Sequence, residues 1–172
     1  MSASKIFSNI AVIGAGTMGS GIAAQIANAG LPVLLLDLPC RPDQQVSPAE
    51  QAIQKLLKSE PPQFMHPSLA AKITTGDMEA DFDKLAKCDL IIEAVIEQLP
   101  VKQSLYKRLY ETISEDCVIT SNTSTIPISL LTAQMPADFC ARFAITHYFN
   151  PVRYMRLLEL VSGAETKPEI LD

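Results

Sequence analysis

Two residues towards the end of the sequence have the right types for proton transfer with a substrate. His147 closes a predicted strand over 142–147, where an imidazole that titrates near neutral pH can accept a hydroxyl proton. Strand alternation over 157–161 places Glu159 on an apolar face, where an unpaired carboxylate is costly to bury. A turn at Asn150-Pro151 would return this strand beside His147, so that Glu159 orients the imidazole and stabilises its protonated form. Such a pair suits dehydrogenation of an alcohol, in which a base removes the hydroxyl proton as hydride leaves.

Two groups of candidate residues also allow a structural interpretation. His147 could be a structural histidine at a strand end, and the other histidine, His66, is predicted to be solvated in a proline-flanked loop. The hydroxyl-rich run 121–125 follows the fifth predicted strand, so its side chains are expected at a ligand cleft beyond the carboxyl ends of the strands. Alternatively, one of residues 123–125 caps a short helix that begins near Pro127.

A glycine-rich turn near the start of the sequence is suited to binding a dinucleotide. Gly14, Gly16 and Gly19 follow the apolar run 10–13 and open a segment with helical spacing. Gly14 permits a tight turn, Gly16 lets the backbone approach a pyrophosphate, and Gly19 lets the helix pack close to the sheet. The helix amino terminus then offers free N–H groups to the phosphates.

The acidic residue after the second strand indicates which dinucleotide binds. Gly30 is expected to end the first helix, and residues 32–37 form a strand that ends at Asp37. A carboxylate there accepts hydrogen bonds from both hydroxyls of the adenine ribose and repels a 2′-phosphate. The sequence therefore predicts NAD, in preference to NADP.

The remaining segments alternate between strand and helix. This alternation predicts an α/β, Rossmann-type, doubly wound and mostly parallel sheet with helices on both faces. The expected helices and strands after Asp37 are helix 47–59, strand 72–75, helix 82–87, strand 89–95, helix 100–113, strand 117–120, helix 127–133, strand 142–147 and a helix starting at 166.

Composition and charge are those of one globular domain in a reducing compartment. The 172 residues are 48% hydrophobic, without an apolar run of membrane-spanning length or a signal-peptide pattern. The four cysteines form no C-x-x-C pair, and we predict reduced thiols, a cytoplasmic location and no metal site. A net charge of −5 gives no basic surface for nucleic acid or a membrane.

Several ordered motifs resemble the L-3-hydroxyacyl-CoA dehydrogenases of fatty-acid β-oxidation. The similarity covers nearly the whole chain. The chain is also similar to large bacterial versions of these enzymes, in which the dehydrogenase is fused to an enoyl-CoA hydratase. The matching stretches are 14–23, 92–97 with Lys102, 121–124, and 147–151 followed by Met155 and 158–161.

The resemblance implies specific roles. His147 would be the general base, Glu159 its partner, and Ser124 the group that binds the substrate 3-oxygen of an acyl-CoA. The cofactor, NAD, would be bound by the glycine-rich turn and Asp37, with Glu97 and Lys102 lining its site and two asparagines near the reacting centre. The implied cofactor-binding residues are Gly14, Gly16, Thr17, Met18, Gly19, Asp37, Glu97, Lys102, Asn122 and Asn150.

The same resemblance implies that part of the enzyme lies outside this sequence. Residues 1–172 would be the NAD-binding domain, and 166–172, with Thr166 as N-cap, would start a helix into an absent, all-helical C-terminal domain that completes the acyl pocket and forms a homodimer. Residues 41–75 differ from the family, so they imply no CoA ligands. The alternatives are a dehydrogenase of a free 3-hydroxy acid or sugar acid, or a fragment that binds NAD without catalysis.

Overall fold

A computed structural model of the chain, which describes residues 7–171, contains one seven-stranded sheet. The strand order is β3-β2-β1-β4-β5-β6-β7; β7 runs antiparallel to β6, and the other neighbours are parallel. The predicted Rossmann-type fold is confirmed. The strands are β1 Ile10–Ile13, β2 Val33–Asp37, β3 Ile73–Asp77, β4 Leu90–Glu93, β5 Val118–Ser121, β6 Phe143–Tyr148 and β7 Leu158–Ser162.

Helices cover both faces of this sheet. Three regions predicted as helix are short: a 3-10 turn at Phe82–Lys87, a four-residue helix after Pro127, and a 3-10 turn near the end of the chain. The α-helices are α1 Thr17–Asn28, α2 Pro48–Leu57, α3 Leu99–Thr112, α4 Ile128–Leu131 and α5 Ala137–Cys140, and the 3-10 helices are Pro67–Lys72, Phe82–Lys87 and Pro168–Ile170. Among the described residues, no helix combines the length and apolar character needed to cross a membrane.

The core is divided between the two faces because successive strand residues point in opposite directions. In β1, Ile10 and Val12 pack with α1 and α2, whereas Ala11 and Ile13 pack with the aromatic cluster under α3. Every residue of β1 is buried, which is why its sequence is continuously apolar. The central strands are thus packed against apolar side chains on both faces of the sheet.

The ends of α1 and α2 follow from local sequence. Gly30 has φ +86°, its N–H donates to Ala27 O at 2.9 Å, and Leu31 N donates to Ile26 O at 3.3 Å, so the predicted glycine stop is confirmed as a Schellman motif. At the start of α2, Ser47 and Glu50 form a reciprocal capping box, and Pro48 occupies the first turn.

The end of the described chain differs from the predicted helix. Thr166 is not an N-cap: its hydroxyl donates to Phe143 O at 2.7 Å and accepts from Gly163 N at 2.8 Å. Only the 3-10 turn Pro168–Ile170 follows, with Lys167 at its N-cap position, and Asp172 lies outside the described residues. The hydroxyl satisfies backbone groups beside β6 instead of helix N–H groups, which sequence spacing alone does not reveal.

We expect alanine to be strongly destabilising at Gly19 and to be tolerated at Gly16. A Cβ on Gly19 would lie 1.7 Å from Gly14 O, so Gly19→Ala forces strand and helix apart and should lower the free energy of unfolding by about 3 kcal/mol or more. Apart from its neighbours in the chain, a Cβ on Gly16 would meet no described atom within 4 Å, so Gly16→Ala should change the free energy of unfolding by less than about 1 kcal/mol. Urea denaturation measures both variants, and equal losses would contradict the close packing of α1 on β1.

Candidate active site

A continuous cleft lies at the carboxyl ends of the central parallel strands. On one side of the glycine-rich turn, a cavity of about 810 Å³ extends past Asp37 and Leu38. A cavity of about 370 Å³ lies towards β6 and contains His147. The two cavities share Met18, Ala94 and Val95 as lining residues, so they form one path. This is the position at which open α/β sheets bind ligands, since β1 and β4 are adjacent and their connections leave in opposite directions.

The glycine-rich turn at the middle of this cleft leaves backbone N–H groups available. Gly14 has φ +101° and its N–H donates to Leu36 O at 2.7 Å, which fixes the turn between β1 and α1. Gly16 is the N-cap of α1, without a capping side chain and without an acidic residue in the first turn. The first-turn N–H groups and the positive end of the helix dipole therefore face the cleft.

Asp37 ends β2 at the wider cavity, where its carboxylate fixes two backbone segments. Its Oδ2 accepts from Ala15 N at 2.8 Å, and its Oδ1 accepts from Leu38 N at 2.7 Å. Each carboxylate oxygen has a second lone pair available for a ligand hydroxyl. Asp37 thus ties the glycine-rich turn to the end of β2 while it lines the cleft.

The predicted approach of His147 and Glu159 is present. The two residues are paired across β6 and β7, and His147 Nδ1 lies 2.8 Å from Glu159 Oε2. Phe149 packs against the imidazole, with ring centroids 4.5 Å apart. With Nδ1 bound to the carboxylate, Nε2 is the ring nitrogen left to exchange a proton with a ligand.

The burial expected for Glu159 is wrong. Its side chain is 50% exposed, compared with 20% for His147, and every residue of β7 is exposed in the described part of the chain. β7 is the edge strand of the sheet, and among the described strands it pairs only with β6. The cross-strand register, and not burial on an apolar face, brings the carboxylate to the imidazole.

Three further predicted residues surround His147 in the smaller cavity: Asn122, Ser124 and Asn150. Asn122 Oδ1 accepts from Tyr148 N at 2.9 Å, which links the end of β5 to the end of β6. Within residues 7–171, no partner is hydrogen-bonded to the Ser124 hydroxyl, so it is available to a ligand. Asn150 also lines a separate cavity of about 560 Å³ between the glycine-rich turn and α2.

The alternative that one of residues 123–125 caps the helix near Pro127 agrees with the structure only in part. Thr123 Oγ1 accepts from Ile126 N at 3.1 Å and thereby closes the turn before α4. However, the N-cap residue of α4 is Pro127, and no side chain caps that helix. Ser121 points away from the cleft, because its hydroxyl donates to the buried Glu93 carboxylate at 2.7 Å.

Glu93 is a buried centre for which sequence reasoning proposed no role. It ends β4, is fully buried and accepts hydrogen bonds from Lys102 Nζ at 2.6 Å, Tyr106 OH at 2.6 Å and Val95 N at 2.8 Å, besides Ser121. Burial, followed by the Glu93 charge, raises the pKa of Tyr106, which therefore remains a donor. A usable sequence signal was a lone carboxylate at the end of an otherwise apolar strand.

Lys102 differs from the prediction that it lines the cofactor site. Its side chain is only 1% exposed, and its ammonium lies between Glu93 Oε1 and Glu97 Oε2, at 2.6 and 3.2 Å. The two carboxylates hold the Lys102 ammonium in the protein interior, because a buried ammonium requires charged partners. Lys102 therefore reaches the cleft only through Glu97.

Glu97 connects this buried ion pair to the cleft. Besides Lys102, it accepts hydrogen bonds from Thr123 Oγ1 and from Thr125 Oγ1, the latter at 3.1 Å. Partial burial acts to raise the pKa of Glu97, but the Thr123 hydrogen bond and the Lys102 charge outweigh it, and the pKa is lowered below its usual range. Glu97 is thus held as a carboxylate in the wall of the smaller cavity.

Comparison with known families identifies the family to which this chain belongs. A family model described as "3-hydroxyacyl-CoA dehydrogenase, NAD binding domain" matches residues 9–172. The chain belongs to the 3-hydroxyacyl-CoA dehydrogenase family. The family expected from the sequence motifs is therefore confirmed.

Individual relatives agree with the family and are longer than this chain. A Deinococcus radiodurans protein named for 3-hydroxyacyl-CoA dehydrogenase activity is 42% identical over 94% of this chain, which covers 47% of that protein. A Rickettsia felis protein named for a trifunctional enzyme of the fatty acid oxidation complex is 42% identical over 95% of this chain and 23% of its own length. The crystal structure of 3-hydroxybutyryl-CoA dehydrogenase from Escherichia coli has a TM-score of 0.82 and 31% identity, over 97% of this chain and 35% of that one. The chain thus spans less than half of each of these relatives.

The cleft of this 3-hydroxyacyl-CoA dehydrogenase domain fits the family cofactor, NAD. Gly16 leaves open space where a Cβ would otherwise project, and the uncapped start of α1 can bind the diphosphate through N–H groups. Asp37, at the end of the same cleft, can accept the ribose hydroxyls. These observations match the cofactor prediction at the glycine-rich turn.

Replacement of Asp37 should change cofactor discrimination. Asp37→Ala is expected to weaken NADH binding about tenfold or more and to weaken NADPH binding less, because the carboxylate accepts the ribose hydroxyls but repels a 2′-phosphate. Fluorescence titration with both cofactors measures the two Kd values. Asp43→Ala, which removes an exposed acid of the next loop, is the matched control. An unchanged NADH-to-NADPH preference in Asp37→Ala would contradict the role of Asp37.

Proposed function

We propose that this chain supplies the NAD site and the proton-transfer pair of an enzyme that oxidises (S)-3-hydroxyacyl-CoA to 3-oxoacyl-CoA in fatty-acid β-oxidation. The single observation that carries the proposal is the 2.8 Å contact between His147 Nδ1 and Glu159 Oε2. His147 lines the same cavity as Ser124, and that cavity continues into the cleft beside the glycine-rich turn.

The proposed roles follow from the atoms that remain available. Nε2 of His147 removes the proton of the substrate 3-hydroxyl, and the Glu159 carboxylate stabilises the imidazolium that results. The Ser124 hydroxyl donates a hydrogen bond to the substrate 3-oxygen as its carbonyl character develops. Bound NAD supplies the acceptor for the hydride from C3. Met18, Asn122 and Asn150 line the space around these groups and would restrict the orientation of the substrate.

Other parts of the enzyme are included in the proposal. A C-terminal helical domain would cover the exposed β7 side of the site, complete the acyl pocket and form a homodimer, as the family resemblance implies. The greater length of the relatives supports this arrangement. The cytoplasmic location stays a prediction from the four cysteines, which form no C-x-x-C pair.

The experiment that tests the function is acetoacetyl-CoA reduction, followed by NADH consumption. We expect turnover by the full-length natural polypeptide, and little or none by residues 1–172 alone, because β7, which carries Glu159, is exposed here. Turnover of free 3-hydroxy acids or sugar acids, but not of the CoA thioester, would replace the proposed substrate. Binding of NADH without turnover of any of these substrates by the full-length polypeptide would support a binding role instead.

Removal of the general base should affect turnover and spare cofactor binding. His147→Ala in the full-length polypeptide is expected to lower kcat about 10²–10⁴-fold, the usual contribution of a general base. The Kd for NADH should stay within about twofold, since the imidazole acts on the substrate hydroxyl. His66→Ala removes the other, exposed histidine and serves as control. Equal losses of kcat and NADH affinity in His147→Ala would contradict its assignment as base.

A further inference from the structure

The carboxylate of Glu97 is bonded to both neighbours of Ser124. Its Oε1 accepts from the Thr123 hydroxyl and, at 3.1 Å, from the Thr125 hydroxyl. Ser124 lies between these two threonines, and its own hydroxyl has no hydrogen-bond partner among the described residues. One acceptor oxygen thus fixes the backbone segment on both sides of the side chain that faces the substrate cavity.

We propose that Glu97 is a positioning residue for Ser124, acting through the hydroxyls of Thr123 and Thr125. The inference rests on the proposed function, in which Ser124 binds the substrate 3-oxygen. It assigns Glu97 to the orientation of a substrate-binding hydroxyl, where the sequence predicted a residue that lines the cofactor site. We refer to Glu97, Thr123 and Thr125 as the threonine clamp.

The segment that carries Ser124 needs such a clamp because regular structure does not hold it. β5 ends at Ser121 and α4 begins at Ile128, so Ser124 lies in an irregular connection. Thr123 is almost fully buried, and its hydroxyl also accepts from Ile126 N at 3.1 Å. Thr125, in contrast, is exposed, and its Glu97 contact is the only hydrogen bond that the structure gives its side chain. The Thr125 bond therefore fixes the outer side of the segment.

Glu97 can serve as a fixed acceptor because it is held from the protein interior. Its Oε2 lies 3.2 Å from Lys102 Nζ, and that ammonium is fixed by Glu93 at 2.6 Å. Glu93 in turn accepts hydrogen bonds from Tyr106 and Ser121. The clamp is thus connected to β4, α3 and β5 through buried groups, which limits movement of the Glu97 carboxylate.

The lowered pKa of Glu97 agrees with this geometry. Partial burial opposes ionisation, whereas the Thr123 hydroxyl and the Lys102 charge favour it more strongly. An ionised carboxylate accepts hydrogen bonds only, so both threonine hydroxyls must act as donors to it. Their orientation is then fixed, and the arrangement persists throughout the neutral pH range.

A double-mutant cycle on the full-length polypeptide tests the clamp. Thr125→Val removes the exposed hydroxyl while it keeps the side-chain shape, and it should lower kcat for acetoacetyl-CoA reduction about tenfold, as expected for the loss of a hydrogen bond to a charged group. The Kd for NADH should change by less than about twofold. In a Ser124→Ala background the same substitution should lower kcat by less than about twofold, because no hydroxyl is left to position.

Two further variants separate positioning from general destabilisation. Thr125→Ser returns the hydroxyl and should recover most of the kcat that Thr125→Val loses. Thr74→Val makes the same change at an exposed position of β3, remote from the cleft, and measures the effect of the substitution type on urea stability. Recovery by Thr125→Ser would support the clamp, whereas equal kcat for Thr125→Ser and Thr125→Val would overturn it.

The remaining outcomes distinguish the clamp from the proposed function. Equal kcat losses from Thr125→Val in the presence and absence of the Ser124 hydroxyl would overturn the clamp alone. Weaker NADH binding in proportion to the lost kcat would also overturn the clamp, and would support the sequence-based prediction that Glu97 lines the cofactor site. If the unmodified full-length polypeptide does not reduce acetoacetyl-CoA, the proposed function fails, and the role of the clamp fails with it.

Discussion

The arrangement of the site depends on one buried ion pair, between Glu93 and Lys102. A fully buried carboxylate and an almost fully buried ammonium are tolerated only where each has charged or hydrogen-bonding partners in good geometry. Removal of one partner of such a pair typically costs about 3–5 kcal/mol, because the other charge is left buried. The pair joins the end of β4 to α3, and through Ser121 to the end of β5. The walls of the smaller cavity are therefore connected by a requirement of charge compensation, in addition to apolar packing.

In the proposed function, cofactor binding and proton transfer fall to different parts of the parallel sheet. β1, α1 and β2 form the glycine-rich turn and present Asp37, whereas β4 to β7 supply Glu97, Ser124, His147 and Glu159. The two sets meet because β1 and β4 are neighbours in space, although about 80 residues separate them in the chain. The antiparallel edge strand β7 adds a carboxylate that a purely parallel sheet would not bring opposite His147. This division is consistent with a family model that describes an NAD-binding domain and with relatives that are longer than this chain.

Exposure of Glu159 has a physical consequence for the proposed proton-transfer pair. A carboxylate in water stabilises an imidazolium weakly, since solvent screens their attraction, and coverage of β7 would strengthen it. Apolar side chains of β7, including Leu160 and Val161, are also exposed, and burial of such groups favours association with a further element. The contact between His147 and Glu159 is thus set within the described residues, while its electrostatic strength depends on what surrounds β7.

Features that depend on neighbours in the chain were determined by the sequence itself. The glycine-rich turn, the Gly30 helix stop and the placement of Asp37 at a strand end each follow from local backbone requirements or periodicity. The approach of Glu159 to His147 was also predictable, since a turn and a period of two residues determine which residues of two antiparallel strands can face each other. Only the tertiary structure decided that Lys102 is buried, that Glu159 is exposed and that Glu97 accepts from both neighbours of Ser124. These properties arise where α3, β4 and the end of β5 pack together, or where an edge strand is left uncovered. Local propensity contains no information on such distant contacts, because burial and charge pairing are set by elements that come together only in the folded chain.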